Sequence, residues 1–206
     1  MLSTALDEIL GSRSKISVLR SLFAQDSLGG REIARRTGLS PRAASVALNQ
    51  LVAAGILRRQ AAGSTHLFSV DRRRHLVQAS LARLFNEEAD LPNAMGRRIM
   101  RAIGRTQCVS AAIFGSGARG EAGPGSDVDV LVLLADSSRV RPAKERLQAG
   151  AEEFFDLFGL RLSPYVIGAS EFAARLKKGD PLMKAMVREA RVVHGMALAE
   201  VLLDES

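Results

Sequence analysis

Gly115-Ser116 and Gly125-Ser126-Asp127-Val128-Asp129 are the residues of this 206-residue chain best suited to chemistry. Ala111-Ala112-Ile113-Phe114 is short, apolar and closed by glycine, as expected of a buried strand. Gly115 has no Cβ, so backbone amides can approach a phosphate closely; Ser116 adds a hydroxyl where a helix should start and where free N–H groups attract anions. From Asp127 to Leu134 the chain is rich in β-branched and aliphatic residues, which marks a central strand. Strand side chains alternate, so Asp127 and Asp129 share a face. Two carboxylates that close repel each other unless a cation lies between them, and Mg²⁺ (or Mn²⁺) suits one or two carboxylates plus phosphate oxygens. The expected ligand is a nucleoside triphosphate, with ATP first among the candidates, touching Gly115, Ser116 and Ser126.

The run from Phe114 to Val132 closely resembles the signature of the DNA polymerase β-like nucleotidyltransferase superfamily, in particular its minimal members. The resemblance covers about 90 residues, roughly Thr106 to Gly195. It implies that Gly115 and Ser116 contact the triphosphate, and that Asp127 and Asp129 hold catalytic metal. Arg119 also fits the signature, and two roles stay open for it: neutralising phosphate charge or pairing with Glu121.

Superfamily enzymes carry a third carboxylate on the next core strand, here Leu160 to Ile167, and Ser163 stands at that place. A serine is neither an anionic metal ligand nor an effective general base at neutral pH. Glu121 and Asp156 are the other acids considered as substitutes. The Pro-Tyr-Val-Ile strand end, Ser170-Glu171-Phe172 and Gly179-Asp180-Pro181 are similar to the pattern of winged-helix proteins that carry this domain. The resemblance implies a branch in which the third acid is commonly replaced.

These residues need elements to position them, and the N-terminal third prescribes a different kind of element. Ile16, Leu19, Leu22 and Phe23 recur at helical spacing; Gly30 to Thr37 forms a second short helix ending at Gly38; Ser40 and Pro41 cap a third, which runs to Ala54 and stops at Gly55. Residues 56–60 and 65–70 then flank Ala61-Ala62-Gly63-Ser64 as a hairpin. The segment resembles a winged helix-turn-helix of bacterial transcription regulators. On its third helix Ala44, Leu48 and Leu51 face inward, while Arg42, Ala43, Ser45, Val46, Asn49 and Gln50 face outward. In a major groove Arg42, Ser45, Asn49 and Gln50 could meet bases or phosphates.

Charge supports a double-stranded DNA partner. Residues 1–75 hold 12 Lys plus Arg against 5 Asp plus Glu, a net +7, whereas residues 76–206 hold 17 of each and balance. Arg31, Arg35, Arg36, Arg42, Arg58 and Arg59 are the candidate phosphate contacts. Residues 71–105 read as an amphipathic helix, a break at Leu91-Pro92-Asn93 and a second helix from Met95 to Ile103, joining the domains and suited to pairing two copies as a homodimer. Ser138 to Phe158 reads as one long helix with Leu147, Ala151, Phe154, Phe155 and Phe158 inward.

The expected architecture is α+β: a winged helix-turn-helix over 1–75, a helical connector over 76–105, and a polymerase β-like nucleotidyltransferase fold with a small mixed sheet over 106–206. No long apolar span or leader pattern argues for a membrane, and a cytoplasmic protein is expected. Cys108, the sole cysteine, excludes an internal disulfide. The leading functional reading is a DNA-binding regulator whose nucleotidyltransferase-like domain binds NTP and Mg²⁺ and either senses them or transfers slowly. Two alternatives stand beside it: an active transferase moving NMP onto a protein or small-molecule hydroxyl, and a toxin–antitoxin-type interaction protein.

Overall fold

A computed structural model describes residues 11–104, 108–115 and 125–201. The chain divides into two compact units, Met1–Ala89 and Asp90–Ser206.

In the first unit, α1 (Arg13–Ala24), α2 (Gly30–Thr37) and α3 (Pro41–Ala53) pack around Leu19, Leu22, Ile33, Leu48 and Leu51. Ser12 starts α1 by accepting the Lys15 N–H, and Ser40 starts α3 by accepting the Ala43 N–H, with Pro41 where its missing N–H leaves no bond unmade. β2 (Leu57–Ala62) and β3 (Thr65–Val70) form the wing hairpin in the register Leu57↔Val70 to Ala62↔Thr65. Its two-residue turn uses Gly63 at φ +59°, a backbone that a β-carbon would oppose. Sequence patterning misses a third strand, β1 (Leu28–Gly29), which pairs with β3. At two residues it is too short to show a period.

The connector differs from expectation. A π-helical turn, Val77–Leu81, leads into one helix, α4 (Ala82–Ile103), which passes through Pro92 without a break. Proline inside a helix costs about 3 kcal/mol. Tertiary burial offsets it: Phe85 enters the core of the first unit, and Met95, Ile99, Met100 and Ile103 enter a core of the second.

The second unit is built on a four-stranded sheet in the order β6-β5-β4-β7, from β4 (Cys108–Phe114), β5 (Asp127–Leu134), β6 (Arg161–Gly168) and β7 (Arg191–Gly195). β5 runs parallel to β6 and antiparallel to β4, so the sheet is mixed. Alternation along β5 separates two cores: Val128, Val130, Val132 and Leu134 face one layer, and Leu131 and Leu133 face the other. The first layer holds α5 (Val140–Ala149) and α6 (Ala151–Phe158) through Leu147 and Phe154. In the second, Phe172 of α7 (Ala169–Lys177) and Met183 and Met186 of α8 (Pro181–Glu189) cover the sheet. The single helix expected over 138–158 is two, because the chain breaks at Gly150, where glycine ends α5 and begins α6. Phe154 is buried on the same stripe as Leu147, and Phe155, expected inward, is exposed. Cys108 lies at the start of β4 beside the first of these cores, and burial pushes its thiol up to about 11, leaving it protonated and unreactive at neutral pH.

Candidate functional site

Asp127 and Asp129 occupy the first and third positions of β5, on the face that Leu131 and Leu133 continue. Leu131 and Leu133 are fully buried, whereas Asp129 is half-buried and Asp127 exposed. The apolar layer therefore stops where the acids begin, and carboxylates are tolerated there because water or a ligand reaches them.

Three neighbours fix the acids in place. Gly125 donates its N–H to Gly159 O at 2.8 Å, and Arg161 N–H donates to Ser126 O at 3.0 Å, tying the turn before β5 to the start of β6. The resulting parallel register sets Asp127 beside Arg161 and Asp129 beside Ser163. On the other side Phe114 pairs with Asp129, and the chain turns at Gly115 with φ +67°. A β-carbon on Gly115 would lie 2.9 Å from Asp129 Oδ2, so the glycine is required twice, by its backbone angle and by the carboxylate lying over it.

Ser163 stands in register with Asp129, the position at which the family resemblance implies a third acid. Asp156 cannot replace it: α6 lies in the layer on the opposite face of the sheet. Among the described residues, no group of three or more His, Cys, Asp or Glu is gathered to hold a metal. Two hard oxygen donors at the edge of the sheet fit a Mg²⁺ or Mn²⁺ ion that keeps waters and takes its remaining ligands from phosphate. Ser116, Arg119 and Glu121 lie outside the described residues. Arg161 was not singled out by sequence reasoning; its only signal is that it precedes Ser163 by two positions and so shares its face.

The Gly179-Asp180-Pro181 pattern has a structural role. Asp180 caps α8 by accepting the Leu182 N–H at 2.9 Å and the Met183 N–H at 3.3 Å, and it accepts Arg175 Nε at 2.9 Å. Arg175 Nη1 in turn donates to the Tyr165 hydroxyl at 2.6 Å, which joins β6, α7 and α8 on the face that carries the acids. Hydrogen bonding from Arg175 holds the Asp180 carboxyl below the usual carboxylate range.

In the first unit α3 presents Arg42, Ser45, Val46, Asn49 and Gln50 to solvent and buries Ala44, Ala47, Leu48 and Leu51. The candidate arginines are not equivalent. Arg31, Arg42 and Arg59 make no ion pair among the described residues. Arg35 and Arg36 share the Glu32 carboxylate at 2.6 Å each, a pairing the sequence spacing permits at i,i+3 and i,i+4. Their hydrogen bonds hold the Glu32 carboxyl down to about 2.

Arg58 approaches Asp71 at 3.5 Å, and Asp71 also takes Arg73 at 2.9 Å and Arg74 at 3.9 Å. Asp71 is buried at the base of the wing, and the Arg73 hydrogen bonds, side chain first, hold its carboxyl down to about 2. A depressed carboxyl contributes stability that is complete above its unfolded value near 4 and is lost as pH falls toward 2. The thermal midpoint of the full chain is therefore expected to drop between pH 4 and 2, and Asp71→Asn to be less stable at pH 7 with a shallower acid slope. An unchanged slope in that variant would remove Asp71 from the account.

Residues 97–192 match the nucleotidyltransferase domain family, and residues 12–58 match the winged helix-turn-helix DNA-binding family. No curated protein matches the chain. Partial structural likenesses include reduced HlyU from Vibrio cholerae N16961, at 20% identity over 41% of this chain and 85% of that one, TM-score 0.36. A toxin–antitoxin complex with AMP-PNP is 14% identical over 55% of this chain and 83% of that one, TM-score 0.37. TrmBL2, an archaeal chromatin protein, is 15% identical over 84% and 68%, TM-score 0.29. The chain thus carries a winged helix-turn-helix domain followed by a nucleotidyltransferase domain.

Proposed function

We propose that this protein is a DNA-binding regulator whose nucleotidyltransferase domain binds a nucleoside triphosphate with Mg²⁺ and senses it or transfers its nucleotidyl group slowly. The observation that carries the reading is Ser163 in register with Asp129: the pair of acids is present, and the third position is neutral. Asp127 and Asp129 would hold the metal, which when bound neutralises triphosphate charge and polarises the phosphorus for in-line displacement. Gly115 leaves room for the Asp129 carboxylate and for phosphate oxygens, with Ser116, Ser126 and Arg119 as further phosphate contacts. Arg161, in register with Asp127, adds a cation at the same edge. Binding needs only these groups. Deprotonating an acceptor hydroxyl needs a base, and Ser163 cannot serve as one.

On the DNA side, α3 enters the major groove with Arg42, Ser45, Asn49 and Gln50 toward bases and phosphates, and Arg31, Arg35, Arg36, Arg58 and Arg59 contact the backbone.

Thermal unfolding with ATP and Mg²⁺ or Mn²⁺ tests the nucleotide site. The melting midpoint is expected to rise with nucleotide plus metal, as ligand at about 100 times its Kd stabilises by about 2.7 kcal/mol. Asp127→Ala/Asp129→Ala is expected to lose that rise. A full rise in the double variant would overturn the metal assignment.

A further inference from the structure

α3 carries one large apolar residue on its exposed outer face. Val46 is 50% exposed, in the middle of the helix, among the polar residues Arg42, Ser45, Asn49 and Gln50. It lies one helical turn beyond Arg42 and one turn before Asn49 and Gln50, so these side chains form a single stripe. An isolated exposed valine is ordinary on a protein surface, but its setting here is not. A β-branched residue is a weaker helix former than alanine, so Val46 adds nothing to the helix, and its exposure shows that it adds nothing to the core.

The surface beside it is shaped and polar. Val46, Ala43, Ala47 and Gln50 border a concavity of about 380 Å³ whose remaining walls are Ser12, Ser14, Ser40 and Arg42. The Ser12 and Ser40 hydroxyl oxygens accept cap bonds from Lys15 N–H at 3.4 Å and Ala43 N–H at 3.2 Å, which leaves each hydroxyl proton free to donate. Arg42 makes no ion pair among the described residues. Donors and a free guanidinium on one side, and an apolar pair of valine methyls on the other, match the rim and floor of a DNA major groove. Phosphate sits at the rim, and the one apolar group on the floor is the thymine C5-methyl.

We infer that Val46 reads a thymine methyl group, with a DNA phosphate seated by Ser12, Ser14, Ser40 and Arg42, so that the preferred site carries thymine beside the bases met by Asn49 and Gln50. Amide side chains pair with adenine N6 and N7, so the stripe as a whole selects A·T pairs. The inference rests on the proposal that α3 enters the major groove.

The test replaces thymine by 2′-deoxyuridine, which removes only the methyl, position by position in a duplex selected by the full chain from random sequence. One or two thymine positions are expected to weaken wild-type binding by about fourfold, the factor that burying one methyl group is worth. Val46→Ala is expected to bind the thymine site about that much more weakly, and to bind thymine and deoxyuridine versions alike. Its melting midpoint should match wild type, since the residue is exposed. Sequence-specific binding with no methyl dependence, or a dependence undiminished in Val46→Ala, overturns this inference alone. Absence of any DNA binding overturns the regulator reading and this inference with it.

Discussion

Ser163→Asp is expected to raise the rate of pyrophosphate release from ATP and Mn²⁺ by about 10²- to 10⁴-fold, the range a positioned general base contributes. In barrier terms that is about 3 to 5 kcal/mol. The gain follows from register: Ser163 is the parallel partner of Asp129, on the same strand face, so a carboxylate there would stand beside the existing pair and reach both metal and acceptor hydroxyl. Single-turnover pyrophosphate release, with water or lysate proteins as acceptor, reads the effect. Ser163→Asn has the same size without the charge and is expected to stay at the wild-type rate. Adding Asp129→Ala to Ser163→Asp should abolish the gain.

A second readout is independent of any acceptor. Three carboxylates crowded at one edge repel, so Ser163→Asp should melt lower than wild type without divalent metal and recover more than wild type when Mn²⁺ is added. Equal rates for Ser163→Asp and Ser163→Asn, with no added metal response, would show that the missing acid is not what limits this domain.

Much of the arrangement around these acids can be read from local pattern, because it depends on strand alternation and on capping chemistry. The shared face of Asp127 and Asp129 follows from their i,i+2 spacing, and Ser163 follows from its place in the next strand. Ser40-Pro41 and Gly63 mark the start of α3 and the hairpin turn in the same local way. What pattern does not reveal depends on contacts distant in sequence. Nothing near Pro92 announces a continuous helix; its persistence comes from Phe85 on one side and Met95 and Ile99 on the other, each buried. Nothing near Leu28 announces β1, which exists because β3 offers it a free edge. β7 pairs with β4 across more than seventy residues, and the Tyr165-Arg175-Asp180 network spans a strand and two helices. The Arg-rich surface shows the opposite error: composition counts guanidiniums, while the fold pairs two of the candidates with Glu32.

That pairing sets the second large effect. The log–log slope of DNA affinity against salt is expected to be about −4.5 per monomer, and affinity to fall about 500-fold between 50 and 200 mM salt. Six arginines less the single Glu32 carboxylate leave five net positive charges on the candidate face, since Asp71 is already met by Arg73 and Arg74. Five neutralised phosphates at about 0.9 counterion each give that slope. Glu32→Gln removes the competing carboxylate and frees Arg35 and Arg36, so its slope should steepen by about 1, whereas Arg42→Ala should flatten it by about 1. Asn49→Ala acts on base recognition and should leave the slope alone while weakening specific binding by about 1 to 3 kcal/mol. Fluorescence anisotropy across a salt series on specific and scrambled duplexes separates these outcomes. A flat wild-type slope would remove DNA from the role assigned to this surface, and a Glu32→Gln slope equal to wild type would mean that Arg35 and Arg36 face away from the duplex.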